Sequence, residues 1–120
     1  MSTIRVAVNV RATAKSRKKY EADFLVDTSP TDSIAPANLL KKAGIKPVGK
    51  MKYDLPNGTR VEYAFGVAVI EFMGEITCGR VIFGPDDAEP RLGGIALASV
   101  GIVVDPVNQN MTRMPAISLK

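Results

Sequence analysis

The stretch Phe24-Leu25-Val26-Asp27-Thr28-Ser29-Pro30-Thr31-Asp32-Ser33 limits what this chain can become more than any other. Strand-forming apolar residues run straight into an acid, and the acid opens a turn. A carboxylate at the end of a buried strand loses much of its hydration, so it is paired, shares a proton, or sits at a working site. Thr28, Ser29 and Ser33 bring hydroxyls within hydrogen-bonding range of such a turn, and Pro30 fixes its backbone. An Asx-type turn that merely closes the strand uses the same residues, so the acid alone does not separate structure from chemistry.

The strand that delivers Asp27 is legible upstream. Tyr20, Ala22, Phe24 and Val26 alternate with Glu21, Asp23 and Leu25, and Ile4, Val6, Val8 and Val10 alternate with Arg5, Ala7, Asn9 and Arg11. Both runs have the two-residue period of half-buried strands and are expected to pair as a hairpin. Arg11, Lys15, Arg17, Lys18 and Lys19 form the dense basic cluster of the chain. A net charge of +4 invites a nucleic-acid reading, but few aromatic residues stand near the cluster to stack bases. A solvated hairpin turn is expected there, and no nucleic-acid partner.

Pro36-Ala37-Asn38-Leu39-Leu40 reads as a short helix with Pro36 in its first turn, Lys41 and Lys42 at its negative end, and Gly44-Ile45 as a left-handed cap. Residues 50–54 and 59–65 are strand-like arms around Leu55-Pro56-Asn57-Gly58, where Asn57 and Gly58 both tolerate positive φ. Residues 67–73 and 76–83 form a second hairpin about Gly74-Glu75. Residues 95–100 have a helical pattern closed by Gly101. Residues 102–104 make a strand stopped by Asp105-Pro106, and residues 111–119 are apolar enough for a last strand. The expected fold is all-β, mainly antiparallel, with one or two short helices, in a single domain over residues 1–120.

Leu25-Val26-Asp27-Thr28 resembles the active-site motif of aspartic peptidases, two apolar residues followed by Asp-Thr-Gly, and 120 residues match the single-lobed, retropepsin-like branch. Further matches follow in order: the helical segment from Pro36, the Asn57-Gly58 hairpin, Phe83-Gly84-Pro85, Leu92-Gly93-Gly94, and Val103-Val104-Asp105-Pro106-Val107-Asn108-Gln109. The similarity to small bacterial members with retropepsin-type domains runs from about Ile4 to Pro115. Two positions depart from the pattern: Ser29 stands where the motif has Gly, and Arg91 where the supporting triplet has an apolar residue.

The resemblance implies a closed barrel with one lobe per chain, and an aspartic endopeptidase whose catalytic acid is Asp27. Thr28 and Ser29 would brace the active-site loop, and Thr31 and Asp32 would hold substrate backbone. Leu55, Pro56, Asn57 and Gly58 would form a flap over bound peptide, where sequence alone reads an ordinary surface hairpin. Leu92, Gly93 and Gly94 would support the loop of Asp27. The chain has no second Asp-Thr/Ser-Gly, so the acid pair requires a homodimer, with terminal strands building the interface. In such a dyad one carboxylate takes a proton from water while the other donates to the substrate carbonyl oxygen. Peptide bonds of a peptide or protein substrate would break through a tetrahedral diol, with no covalent intermediate. The alternative is a catalytically impaired dimeric peptide-binding or scaffold domain of the same fold, with Ser29 as the cause.

Composition narrows the chemistry further. There is no histidine, and Cys78 is the single cysteine, which excludes an internal disulfide, Cys-His and Ser-His catalysis, and the usual zinc sites. An aspartic mechanism needs no cofactor and no metal. Asp86 and Asp87 are adjacent carboxylates without further ligands at suitable spacing, a poor cation site. Asp105 also follows apolar residues, but Pro106 supplies no hydroxyl beside it, and it reads as a turn residue. The longest nearly apolar run, residues 92–104, falls short of the roughly 20 residues a membrane helix needs. Met1-Ser2-Thr3-Ile4-Arg5 lacks a basic start followed by an apolar block, so no membrane contact and a cytoplasmic location are expected.

Overall fold

The computed structural model of the chain describes residues 4–105 and 107–119. Its strands are β1 (Arg5–Arg11), β2 (Tyr20–Val26), β3 (Ser33–Pro36), β4 (Gly49–Asp54), β5 (Arg60–Phe72), β6 (Glu75–Gly84), β7 (Arg91–Leu92), β8 (Ile102–Asp105) and β9 (Asn110–Arg113). Two short helices, α1 (Ala37–Lys42) and α2 (Gly94–Ser99), complete a mostly β architecture. Neither is long and apolar enough to cross a membrane.

The alternating sequences of β1 and β2 do pair as an antiparallel hairpin, with Val6 opposite Phe24 and Val8 opposite Ala22. Val8, Val10, Phe24 and Val26 are buried together with Leu40, Ile70, Phe72, Phe83 and Leu92. Burying a side chain of this size contributes roughly 1.5–3 kcal/mol, so these alternate positions set which face of each strand turns inward. The larger sheet runs β1-β2-β7-β3-β6-β5-β4, and β1 also pairs with β5, so the pairings return on themselves and leave β4 outside the ring. Most pairings are antiparallel, while β2 with β7 and β3 with β6 are parallel. Strands β8 and β9 form a separate antiparallel pair.

Several elements differ from the sequence reading. Strand β3 was not legible as a strand, and Pro36 belongs to it: Pro36 precedes α1 with extended backbone (φ −60°, ψ 130°) instead of opening the helix. The helix ends as read, with Gly44 at φ +85°, its N–H on the Lys41 carbonyl (3.0 Å) and the Ile45 N–H on the Leu40 carbonyl (3.1 Å). Residues 59–65 and 67–73 are not two strands but parts of β5, which runs straight through Gly66. A Cβ at Gly66 would meet the Lys46 carbonyl at 2.8 Å, so the glycine marks a close backbone approach and not a break.

The β5–β6 turn lies one residue earlier than expected. Phe72 pairs with Glu75, which makes Met73 (φ 53°) and Gly74 (φ 75°) the turn residues. Burial of Phe72 decides this register, because a slip of one residue would turn it outward. The last strand is also shorter than residues 111–119: after Arg113 the chain is irregular and its apolar side chains lie outside, with Leu119 93% exposed. In the basic cluster, Arg11 is not part of the solvated turn. It sits at the end of β1, half-buried, and pairs with Glu71 on β5 at 3.0 Å, while Lys15, Arg17, Lys18 and Lys19 are exposed.

Candidate functional site

Strand β7 lies between β2 and β3, parallel to the first and antiparallel to the second. The chain leaving β2 therefore has to pass over the end of β7 to reach β3, a gap of about two strand spacings, or ~9.5 Å. Residues 27–32 make that passage, and Asp27 is its first member.

The Asp27 N–H donates to the Leu92 carbonyl (2.9 Å), which continues the β2–β7 ladder by one residue. Its carboxylate is half-buried, and Oδ1 accepts the Ser29 N–H at 3.0 Å. Oδ2 has no hydrogen bond among the described residues. The rest of the passage is held from behind by the chain after β7. The Ser29 carbonyl accepts the Gly94 N–H (3.0 Å), the Thr31 carbonyl accepts the Ile95 N–H (3.3 Å), and the buried Ser33 Oγ accepts the Gly93 N–H (3.0 Å). Four consecutive residues, Leu92 to Ile95, thus bond to the segment between Asp27 and Ser33. The two loops touch so closely that a Cβ on Gly93 would overlap the Thr31 carbonyl and one on Gly94 the Ser29 carbonyl. Neither glycine has a positive φ, so space and not backbone conformation requires them.

In front of the passage lies a cleft of about 410 Å³. Asp27, Pro30, Thr31 and Asp32 form one side of it; Met51, Lys52, Tyr53, Leu55 and Tyr63 come from the β4–β5 hairpin, and Ile34, Ile82, Arg91 and Ile95 from the sheet and α2. A mostly apolar hollow with a few converging polar groups is the ordinary form of a ligand site. A more open basin of about 680 Å³ lies by Lys18, Lys19 and Lys42, at the far end of β2, and contains no comparable convergence of acids.

Of the residues singled out from sequence, Asp27, Thr31, Asp32 and Leu55 meet in the cleft. Pro56, Asn57 and Gly58 do not line it; they are exposed at the hairpin tip. That tip is a five-residue loop between Asp54 and Arg60, with Gly58 alone at positive φ (86°) and the Asn57 side chain accepting the Thr59 N–H (2.9 Å), so Asn57 does not take the left-handed backbone expected of it. Thr28 faces away from the cleft and borders a separate hollow with Gly94, Leu97 and Ile102. Ser29 is exposed, has no positive φ and contributes its backbone. Leu92 and Gly93 are buried behind the acid.

Asp105 occupies a turn, as read: it accepts the N–H groups of Val107 (2.9 Å) and Asn108 (3.2 Å) and the Asn108 side-chain amide (2.7 Å). Its neighbour Pro106 lies outside the described residues. Asp86 accepts the Asn38 N–H (3.3 Å) at the start of α1.

The sequence reading missed Tyr53, Tyr63, Met51, Ile34 and Arg91. The signal for the first of these was present: Met51, Tyr53 and Leu55 recur at every second residue and so share one face of the arm. Burial, and secondarily the Asp32 charge, hold the Tyr53 phenol above its ordinary value, with Arg80 acting the other way. No protein-family model matches the chain, and a search of curated proteins found no match. The functional reading therefore rests on the chemistry of the site.

Proposed function

We propose that the chain is one half of a two-fold symmetric aspartic endopeptidase of the retropepsin-like kind, a closed barrel with one lobe per protomer. The observation that carries this reading is that Asp27, at the end of a core strand, opens with Asp32 onto the same cleft as the β4–β5 hairpin. The resemblance around Leu25-Val26-Asp27-Thr28 supports it, as does the buttress of Leu92, Gly93 and Gly94. Ser29 takes the place of glycine without a left-handed backbone and outside the cleft lining, which removes two ways in which it would obstruct catalysis.

A lone carboxylate cannot both activate water and protonate the carbonyl oxygen, so the reaction requires the Asp27 of a second copy. The two acids share one proton. One takes a proton from water as its oxygen attacks the peptide carbon, and the other gives its proton to the carbonyl oxygen. The first then returns a proton to the amide nitrogen while the second takes one from a diol hydroxyl, and the C–N bond breaks to release amine and carboxylic acid. Val103 on β8 and Met114, Ile117 and Leu119 beyond β9 are exposed apolar side chains available to a contact between the two copies.

One observation favours the second reading, a peptide-binding domain without catalysis. The Asp27 carboxylate accepts an N–H from its own turn, the same contact that Asp105 makes in a purely structural one. Asp27→Asn separates the two. For a peptidase it lowers cleavage of a denatured protein by about a thousandfold, the scale of a lost acid-base group, while sedimentation still gives twice the 12.9 kDa chain mass. Cleavage that survives the change removes Asp27 from the mechanism, and a wild type that binds peptide without cutting it selects the second reading.

A further inference from the structure

The hydroxyl of Tyr53 is covered from solvent and has no hydrogen-bond partner among the described residues. Tyr53 nevertheless lines the cleft that holds Asp27 and Asp32. A buried hydroxyl without a partner is destabilising, and native proteins pair the great majority of such groups. The surroundings restrict what the partner is. The Tyr63 ring, 6.2 Å away between centroids and inclined by 31°, limits the swing of the Tyr53 ring. Arg80 is engaged elsewhere, over the Phe65 ring at 4.2 Å and on the Met51 sulfur at 3.2 Å. The phenol, held above its ordinary value, stays protonated at neutral pH and so has a hydrogen to donate.

The missing partner is therefore an acceptor that enters the cleft. The acids Asp27 and Asp32 are matched by Lys52 and Arg91 in the lining, so the cleft's charge selects neither an anion nor a cation, and the apolar walls of Ile34, Leu55 and Ile82 suit side chains of a polypeptide. A main-chain carbonyl is neutral, a strong acceptor, and accompanied by such side chains. We propose that the Tyr53 hydroxyl is a binding group that donates to a main-chain carbonyl of an extended peptide in the cleft. This rests on the cleft being a peptide site, whether or not peptide is cut there. Because the oxygen is covered, β4 has to yield slightly for the bond to form. It is the outermost strand of its sheet, and among the described residues it pairs with β5 alone, with Arg80 on the Met51 sulfur as a further tie.

Tyr53→Phe removes the oxygen and keeps the ring, and its two effects have opposite signs. Melted without peptide, Y53F unfolds at a temperature equal to or above that of the wild type, because an unpaired buried hydroxyl has gone. Titrated in the Asp27→Asn background, which keeps the peptide whole, with the tightest-binding sequence of an arrayed heptapeptide library, Y53F binds roughly three- to tenfold more weakly. A clear fall in melting temperature shows that the hydroxyl already has a partner and overturns the assignment. Equal peptide affinity overturns it as well, while leaving the cleft a peptide site. Absence of binding to any library sequence in either protein removes the peptide reading and this role together.

Discussion

Ser33→Ala tests the buttress of the Asp27 turn more sharply than any change at the acid itself. Ser33 is 2% exposed, and its Oγ accepts the Gly93 N–H at 3.0 Å in a part of the molecule where Gly93 is also buried. Deleting the oxygen leaves that N–H without its acceptor. A buried donor left unpaired costs about 1–3 kcal/mol, and the space vacated by one oxygen adds little. Taking ~2 kcal/mol, and a shift of ~4 °C per kcal/mol for a domain of this length, the melting temperature falls by about 8 °C. Urea unfolding should show the same loss with an unchanged slope, because the surface exposed on unfolding is the same. The Gly93 amide should also exchange its hydrogen faster than its neighbours in the core. A midpoint within ~1 °C of the wild type, with Gly93 still protected, refutes the reasoning, since the amide then has another acceptor.

Two further predictions concern the β8–β9 connection. The Asn108 N–H and side-chain amide, then the Val107 N–H, hold the Asp105 carboxyl below its ordinary value of 3.8. A carboxyl lowered on folding stabilises the native state above its unfolded pKa, and that stabilisation is lost as pH falls through the folded value. Asp105→Asn should therefore be less stable than the wild type at neutral pH, and the difference should close below about pH 3.8, which unfolding curves across pH 2–7 check. Gln109 is exposed yet holds φ at 53°, in the left-handed region. Gln109→Gly should raise stability by up to ~1 kcal/mol, read as a higher urea midpoint; a lower one shows that the Gln109 conformation carries no strain.

Periodicity carried the first two strands. The two-residue alternation over β1 and β2 leaves one way to bury Val8, Val10, Phe24 and Val26, so hairpin and facing followed together. Strands β3 and β7 were hidden because they are four and two residues long, too short for a period to emerge. Gly66 misled for a different reason: a glycine inside an apolar run reads as a break, whereas here it admits the Lys46 carbonyl. At the site, Asp27 stood out because an acid after three apolar residues is chemically conspicuous. The orphaned hydroxyl of Tyr53 was invisible, since a missing partner is a property of three-dimensional surroundings.

The amino-acid order alone thus determined that a strand must deliver Asp27 into a turn, that imidazole chemistry is absent, and that the chain is dominated by β structure. Those properties depend on composition and on neighbours within a few residues. Tertiary structure decided that β7 slots between β2 and β3, that Gly93 and Gly94 press against the carbonyls of Thr31 and Ser29, and that the β4–β5 arm faces the acid across a cleft. Each of these joins segments tens of residues apart, and such contacts are selected by the free energy of packing the whole core, which no local pattern encodes.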